Sequence, residues 1–437
     1  MAEVENEARQ YERSRQAEQQ STPSRASNRK RRRPDDGKWG QVNNLRPDQA
    51  RTQFGKLETD NAIGDEIAQI VDKGVFEPVY ERFLSKQQRL KIIKTKLFLK
   101  AKLNADGVFV KLKARLVARG DMEMKASFDS LYSPTGSMEA AFAILSIAAF
   151  ERRKVKIIDL VGAYLTVDVR DNSETYVKFD VNLTEILIAK FPEYAKYVSD
   201  DGTFCGRLRK SLYGICQASS NLHARLKKTL VEEMHFVPNP KDPCVYNRTI
   251  DGKQVTVIVY VDDILATASS DRELESFTKE FQLYHPELTE KVGYVLDYLG
   301  MKLDLRVDGE CSVSMQGYTE RAAELWRAAH DEAVRARPDL FGKATAFRTY
   351  KAPCDEGLFE ITESPELPKK QREEYHSLVA TVLYMAKRSR PDLLCTTAML
   401  ATRVVAPTLE DWFKLRRLMS FARETASRSL KLRPSGI

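Results

Sequence analysis

The stretch Val257-Ile258-Val259-Tyr260-Val261-Asp262-Asp263-Ile264-Leu265-Ala266 sets two adjacent carboxylates inside an otherwise apolar, β-branched run. The flanks have the composition of short strands, and the Asp-Asp pair falls where a tight hairpin turns. Burying two like charges there is costly unless a cation compensates. A divalent metal compensates, and Mg²⁺ favours one or two carboxylates plus substrate phosphates. The pair is therefore a candidate metal platform for phosphoryl transfer. Taken alone, the stretch fits an ordinary Asp-Asp turn between exposed strands better. The rest of the chain has to decide.

At 437 residues the chain is long enough for two or three domains and a sizeable core. No stretch approaches the roughly 20 apolar residues of a membrane span. The longest candidate, Ala140 to Phe150, has buried-helix length, and no signal peptide opens the chain. Six cysteines (205, 216, 244, 311, 354 and 395) are scattered, without a Cys-x-x-Cys pair or a cluster with histidine. That pattern points away from zinc and disulfides and toward a reducing compartment, cytoplasmic or nuclear. The net charge of +8 favours an acidic partner such as nucleic acid. Arg29-Lys30-Arg31-Arg32-Arg33 is a dense basic run in a leader too poor in apolar residues for a core, so disorder is expected over residues 1–55. Nuclear import, backbone binding and a plain solvated tail all remain open for that run.

Ile63 to Val71 has the pattern of a short amphipathic helix. Leu90 to Ala118 is strand-like, with a turn at Asn104-Ala105-Asp106-Gly107 and basic residues alternating with apolar ones on both arms. This fits a half-buried hairpin with one cationic face; a merely solvated lysine face fits equally well. Helices are expected over Glu139–Arg152, Ser219–Met234 and Arg272–Tyr284, and strands over Val155–Asp159 and within Tyr294–Ser314. Beyond Gly317 the chain turns mostly helical, with a Pro-punctuated interlude from Ala352 to Pro368 and a last helical region from Gln371 to Leu430. Strands interleaved with helices, without regular alternation, indicate an α+β fold.

A third carboxylate suits the first two. Ile157-Ile158-Asp159-Leu160 ends a strand-like run, and if that strand neighbours the Asp-Asp hairpin, Asp159 and Asp262 share one face. Two metals about 3.5–4 Å apart would then serve an in-line displacement. The order of further blocks carries more weight. Lys113-Ala114-Arg115-Leu116-Val117-Ala118-Arg119-Gly120, Tyr132-Ser133-Pro134, Asp159, Leu212-Tyr213-Gly214-Ile215-Cys216-Gln217-Ala218, Asp242-Pro243-Cys244-Val245-Tyr246, Tyr260-Val261-Asp262-Asp263 and Tyr298-Leu299-Gly300 follow one another in the order that resembles copia-type retrotransposon reverse transcriptases. Tyr375-His376-Ser377-Leu378-Val379 and Arg390-Pro391-Asp392 resemble the segment that follows the polymerase in that family.

The resemblance implies a right-hand polymerase: fingers and palm over residues 56–310, with an antiparallel palm sheet, and a thumb- and connection-like helical region over 311–437. It implies RNA-directed DNA polymerase activity, with RNA or DNA primer–template and dNTPs as partners and no membrane. Asp159 and Asp262 are the implied principal ligands of Mg²⁺ (Mn²⁺ as an alternative), with Asp263 completing the catalytic set. Tyr164 matches an aromatic gate against the ribose 2′-hydroxyl, Gln217 a polar contact to the nucleotide, and Arg115 and Lys113 a grip on its triphosphate. Tyr298-Leu299-Gly300 matches the primer grip, and Lys291 more loosely an acid for the departing pyrophosphate.

Two departures stand out. The family's Gln-Ala-Pro-Arg-Ala-Trp is here Gln217-Ala218-Ser219-Ser220-Asn221-Leu222, and Arg433-Pro434-Ser435-Gly436-Ile437 falls where a ribonuclease H segment is expected to begin. They suggest a piece of a Pol polyprotein, and they favour an alternative: a catalytically impaired, nucleic-acid-binding remnant of a retroelement.

Overall fold

The computed structural model describes residues 45–103, 109–123, 131–169, 174–342 and 344–434. The basic run at Arg29–Arg33 and the turn at Asn104–Gly107 lie outside these residues. So does most of the leader, but its last part is not disordered. Pro47–Phe54 (α1) is a helix with Pro47 at its first turn and Ala50 fully buried, tied down by the Arg51 guanidinium donating to Asp60 at 2.9 and 2.8 Å. Its stability comes from docking rather than periodicity, which hides it from sequence. Lys56–Asp72 (α2) extends the expected helix toward its N-terminus and buries Ile63, Ile67 and Ile70, spaced along one face.

The first sheet runs β1-β6-β5-β2-β3. Its strands are Phe76–Val79 (β1), Ile92–Leu103 (β2), Phe109–Ala118 (β3), Tyr176–Phe179 (β5) and Phe204–Leu208 (β6). The β2–β3 hairpin behaves as its alternation predicts. Leu97, Leu99, Leu112, Ala114 and Leu116 are buried, whereas Lys96, Lys100, Lys102, Lys111, Lys113 and Arg115 share the exposed face, with Lys100 opposite Lys113 and Lys102 opposite Lys111.

The second sheet, order β11-β4-β10-β9-β8-β7, is antiparallel throughout. Lys154–Leu160 (β4), Val237–Pro238 (β7), Val245–Ile250 (β8), Lys253–Tyr260 (β9), Asp263–Ala268 (β10) and Leu288–Val292 (β11) form it. Val155, Ile157, Ile258 and Leu265 pack with Ala141, Leu145 and Ala148 of Met138–Phe150 (α3). On the other face, Ile158, Val257, Val259 and Ile264 pack with Leu222 and Leu226 of Ala218–Lys228 (α5) and with Phe277 and Phe281 of Asp271–Gln282 (α6). Cover on both faces explains the nearly continuous apolar run around the Asp-Asp pair. Helix α3 is not wholly buried as its composition suggests; Ile147 and Phe150 on its outer side are exposed. Helix α5 is shorter than expected, because a π-turn over Thr229–Glu233 follows it.

Val295–Tyr298 (β12), Met301–Asp304 (β13), Cys311–Ser314 (β14) and Leu430–Leu432 (β15) form a third sheet. It joins strands from both sides of residue 310, and β15 sits in a segment expected to be helical. The last region is three helices, Lys369–Ala386 (α8), Leu394–Thr402 (α9) and Leu409–Glu424 (α10), which pack with Gln316–Ala336 (α7) around Trp326, Tyr375 and Trp412. Pro391 and Pro407 fall at the breaks, where a ring cannot continue a helix. Arg390, 1% exposed, closes the first break: it donates to both Asp392 oxygens at 2.9 Å and to the Thr425 carbonyl at 3.0 Å. None of the six cysteines is in a disulfide. Among the described residues no helix is long and apolar enough to cross a membrane.

Candidate active site

Strands β9 and β10 close through a two-residue turn, Val261-Asp262, with Tyr260 opposite Asp263. Val261 has φ +61° and Asp262 does not share the positive sign, the pattern of a type II′ hairpin turn. A β-branched residue there is strained, at a cost of about 1–3 kcal/mol. The turn sets the two aspartates at the mouth of the sheet.

Asp159 of β4 stands in register opposite Asp263, so these two carboxylates project to one face. The cross-strand neighbour of Asp159 is thus Asp263, while Asp262 sits in the turn, its backbone carbonyl accepting from Leu160 N–H at 3.3 Å. Burial, followed by the charges of Asp262 and Asp159, pushes the Asp263 carboxyl up to about 6. Asp159 reaches solvent but is raised too, first by partial burial and then by Asp262, with Lys113, Lys102 and Lys291 pulling the other way. The cationic face of the β2–β3 hairpin therefore lies within electrostatic reach of the carboxylates. Among the described residues no three carboxylate, histidine or cysteine side chains are gathered tightly enough to hold a metal alone. A hard cation that completes its shell with phosphate oxygens needs fewer protein ligands. The like-charged Asp159–Asp263 pair is a donor set that such a cation relieves.

A second cluster borders the carboxylates. Tyr164 lies in a short turn, Ala163–Thr166, entered through the left-handed Gly162. Its ring meets Tyr213 edge-on at 5.5 Å, and the Arg115 guanidinium lies 5.8 Å from the Tyr213 ring centre. The charge of Asp262 also reaches Tyr213, whose phenol is pushed up to about 12, chiefly by burial. The Tyr164 hydroxyl is 3.3 Å from that of Ser219, whose carbonyl accepts from the Ser133 hydroxyl at 3.0 Å. Gln217 is fully buried, and neither of its amide atoms has a hydrogen-bond partner among the described residues. Such a group is costly unless something else satisfies it. Lys113 reaches solvent, yet burial and then Arg115 hold its ammonium below the ordinary lysine range, against the pull of Glu66 and Asp159.

Backbone contacts hold this cluster against the hairpin. A Cβ on Gly120 would lie 2.1 Å from the Gly214 carbonyl oxygen, and one on Gly214 (φ +88°) 2.3 Å from that of Ala118. Only glycine allows this approach. Ala118 N–H donates to the Tyr213 carbonyl at 2.7 Å, and Cys216 N–H to the Glu123 carboxylate at 2.7 Å. Asp242 of the Asp-Pro-Cys block accepts from the Ser137 N–H and hydroxyl, both at 2.9 Å, and so secures the N-terminus of α3.

Tyr298, Leu299 and Gly300 stand apart from one another in role. Leu299 (φ +49°) and Gly300 (φ +78°) are the two-residue turn joining β12 and β13, and the Leu299 carbonyl accepts from the Tyr384 hydroxyl at 2.9 Å. Tyr298 is a core residue, 1% exposed, its phenol raised by burial and then by the charge of Asp263. Sequence reasoning missed Tyr213, Ser219 and Glu66. Glu66, on α2, is buried and accepts from Leu116 N–H at 2.9 Å, with the charges of Lys113 and Arg115 reaching its carboxylate. Nothing local marks it, since its partner is 50 residues away. The altered block is accommodated in the packing: Leu222 is buried in the core, and the Asn221 amide donates to Ser211 at 3.2 Å.

The model of a family described as "Reverse transcriptase (RNA-dependent DNA polymerase)" matches residues 79–327. The chain is 25% identical over 340 residues to the "Retrovirus-related Pol polyprotein from transposon TNT 1-94" of Nicotiana tabacum, covering 76% of this chain and 23% of that protein. It is 24% identical over 331 residues to the "Transposon Ty1-NL2 Gag-Pol polyprotein" of Saccharomyces cerevisiae, covering 73% and 17%. The chain thus spans less than a quarter of the length of these relatives. A crystal structure of the prototype foamy virus protease–reverse transcriptase overlaps 83% of this chain and 36% of that one, at 14% identity and a TM-score of 0.31.

Proposed function

The chain belongs to the reverse transcriptase (RNA-dependent DNA polymerase) family, in its copia-type retrotransposon branch, and from that premise we propose that it extends a primer 3′ end with dNTPs on an RNA or DNA template. The observation that carries the proposal is the register of Asp159 opposite Asp263, with Asp262 in the adjoining turn, under a cationic hairpin face. Asp159, Asp262 and Asp263 would hold the Mg²⁺, or Mn²⁺, which when bound supplies charge neutralisation around the reacting phosphate.

The chain's own residues do the rest by positioning. Arg115 and Lys113 draw the triphosphate toward the carboxylates, Arg115 with a forked donor set. Gln217, buried with an amide that has no partner among the described residues, bonds the nucleotide once its side chain turns outward. Tyr164 occupies the space that a ribose 2′-hydroxyl needs. The Leu299-Gly300 turn, braced by Tyr384, steadies the primer end. The primer 3′-oxygen then attacks the α-phosphorus, and the bond to pyrophosphate breaks. The division into fingers and palm (56–310) and thumb-like region (311–437), and action in the cytoplasm or nucleus, belong to the same proposal.

Primer extension on RNA and DNA templates with dNTPs and Mg²⁺ tests it. A ladder of extended products is expected. Folded protein that binds primer–template yet adds no nucleotide under any divalent metal contradicts it and favours the binding-only remnant.

A further inference from the structure

Far along the chain from the carboxylates, a cavity of about 270 Å³ opens between residues 350–360, helix α10 and Thr396 of α9. Arg416 lines it and is 7% exposed. A buried guanidinium ordinarily has a carboxylate, because an uncompensated buried charge costs several kcal/mol in rough terms. Arg416 has none within ion-pair distance among the described residues. Its aromatic neighbours are Phe413, with the ring centre 4.6 Å away, and Tyr350, while Nε and Nη1 have no hydrogen-bond partner among the described residues. Burial holds it below the ordinary arginine range, and the charge of Arg348 adds to the strain. The cavity's own carboxylates are engaged elsewhere or out of reach. Asp355 pairs with Arg417 at 2.8 Å and Glu410 with Lys414 at 3.1 Å; Glu360 is exposed at the rim. A second donor lines the same cavity: Thr396 is 1% exposed, and its hydroxyl also lacks a partner among the described residues.

We propose that this cavity is a phosphate-binding site, separate from the candidate polymerase site, in which Arg416 and Thr396 bind a phosphate group that is free or carried by a nucleotide. A tetrahedral oxyanion supplies the missing counter-charge and enough acceptors for the unpartnered N–H groups and the hydroxyl. The volume suits a phosphate with a small attached group rather than a chain of nucleotides. The proposal does not depend on polymerase activity.

The test is calorimetric titration of the full chain with sodium phosphate and, separately, with deoxyadenosine monophosphate, against chloride at matched ionic strength. The fingers cations also attract phosphate, so the diagnostic quantity is the part lost in Arg416→Met and Thr396→Val. Arg416→Met is expected to weaken that part about tenfold or more while leaving stability in chloride equal or higher, since it removes an uncompensated charge. Thr396→Val, nearly isosteric, keeps the fold and weakens it severalfold. A stronger response to the nucleotide than to phosphate identifies the carried group; equal responses identify free phosphate. Isotherms unchanged in Thr396→Val overturn the proposal. So does Arg416→Met that loses the same stability with and without phosphate, because the guanidinium is then structural.

Discussion

Asp263 carries the sharpest residue-level consequence. Its carboxyl is held up at about 6, and a metal must displace that proton, so metal affinity is expected to fall about tenfold per pH unit below 6. Metal titrations of primer extension between pH 5 and 8 check this; a flat dependence on pH refutes the crowding of Asp159, Asp262 and Asp263. Tyr164 makes a different claim. Tyr164→Ala should raise rNTP use relative to dNTP by on the order of tenfold or more, with little change in dNTP KM. Ser219→Ala, which frees the Tyr164 hydroxyl, should move the same ratio less. The three aspartates, Tyr164 and Gln217 could be singled out because each falls in a short block that resembles the family's, and the register of Asp159 opposite Asp263 brings two of the aspartates together. Tyr213 and Ser219 were not, because their contacts to Arg115 and Tyr164 join segments that no periodicity links.

At the scale of elements, the fingers hairpin depends on α2. Among the described residues Glu66 is the side-chain acceptor of Leu116 N–H, so Glu66→Ala leaves that buried donor unpaired and should cost about 1–3 kcal/mol by chemical denaturation. It should also loosen Lys113 and Arg115 and raise the dNTP KM. An unchanged midpoint means that α2 merely covers the hairpin. The hairpin itself, the palm strands and most helices were readable from apolar spacing and proline breaks. Helix α1 and strand β15 were not: each is short and is stabilised by docking onto distant partners, Leu45 bridging to Leu99 and Leu430 pairing with Val313.

For the whole molecule, two buried histidines and one half-buried carboxyl set opposing responses to pH. His285, stacked on Phe281 and bonded to Thr229, is pushed down to about 4 by burial and then Arg225. His330 accepts from Trp412 and is lowered by burial as well. A folded-state value below the unfolded ~6.5 means that the folded chain binds fewer protons, so this stability is present above 6.5 and lost as pH falls toward 4. Against His285→Phe, the natural chain should lose on the order of 3 kcal/mol over that window. Asp263, raised, has the opposite sign: its protonated form favours folding below its unfolded range, and the advantage is lost as pH rises through about 6. Denaturation of Asp263→Asn should therefore show a relative gain with rising pH. Slopes of the same sign in both variants contradict the assignment.

Nucleotidyl transfer is the role proposed for Asp159, Asp262 and Asp263. Primer extension and primer–template binding, measured side by side for the natural chain and for Asp262→Asn/Asp263→Asn, test it most directly. Products are expected from the natural chain and none from the variant, with equal salt-sensitive binding by both, because affinity comes from the cationic face. Equal extension by both proteins, or no extension by a natural chain that is folded and bound, would contradict it.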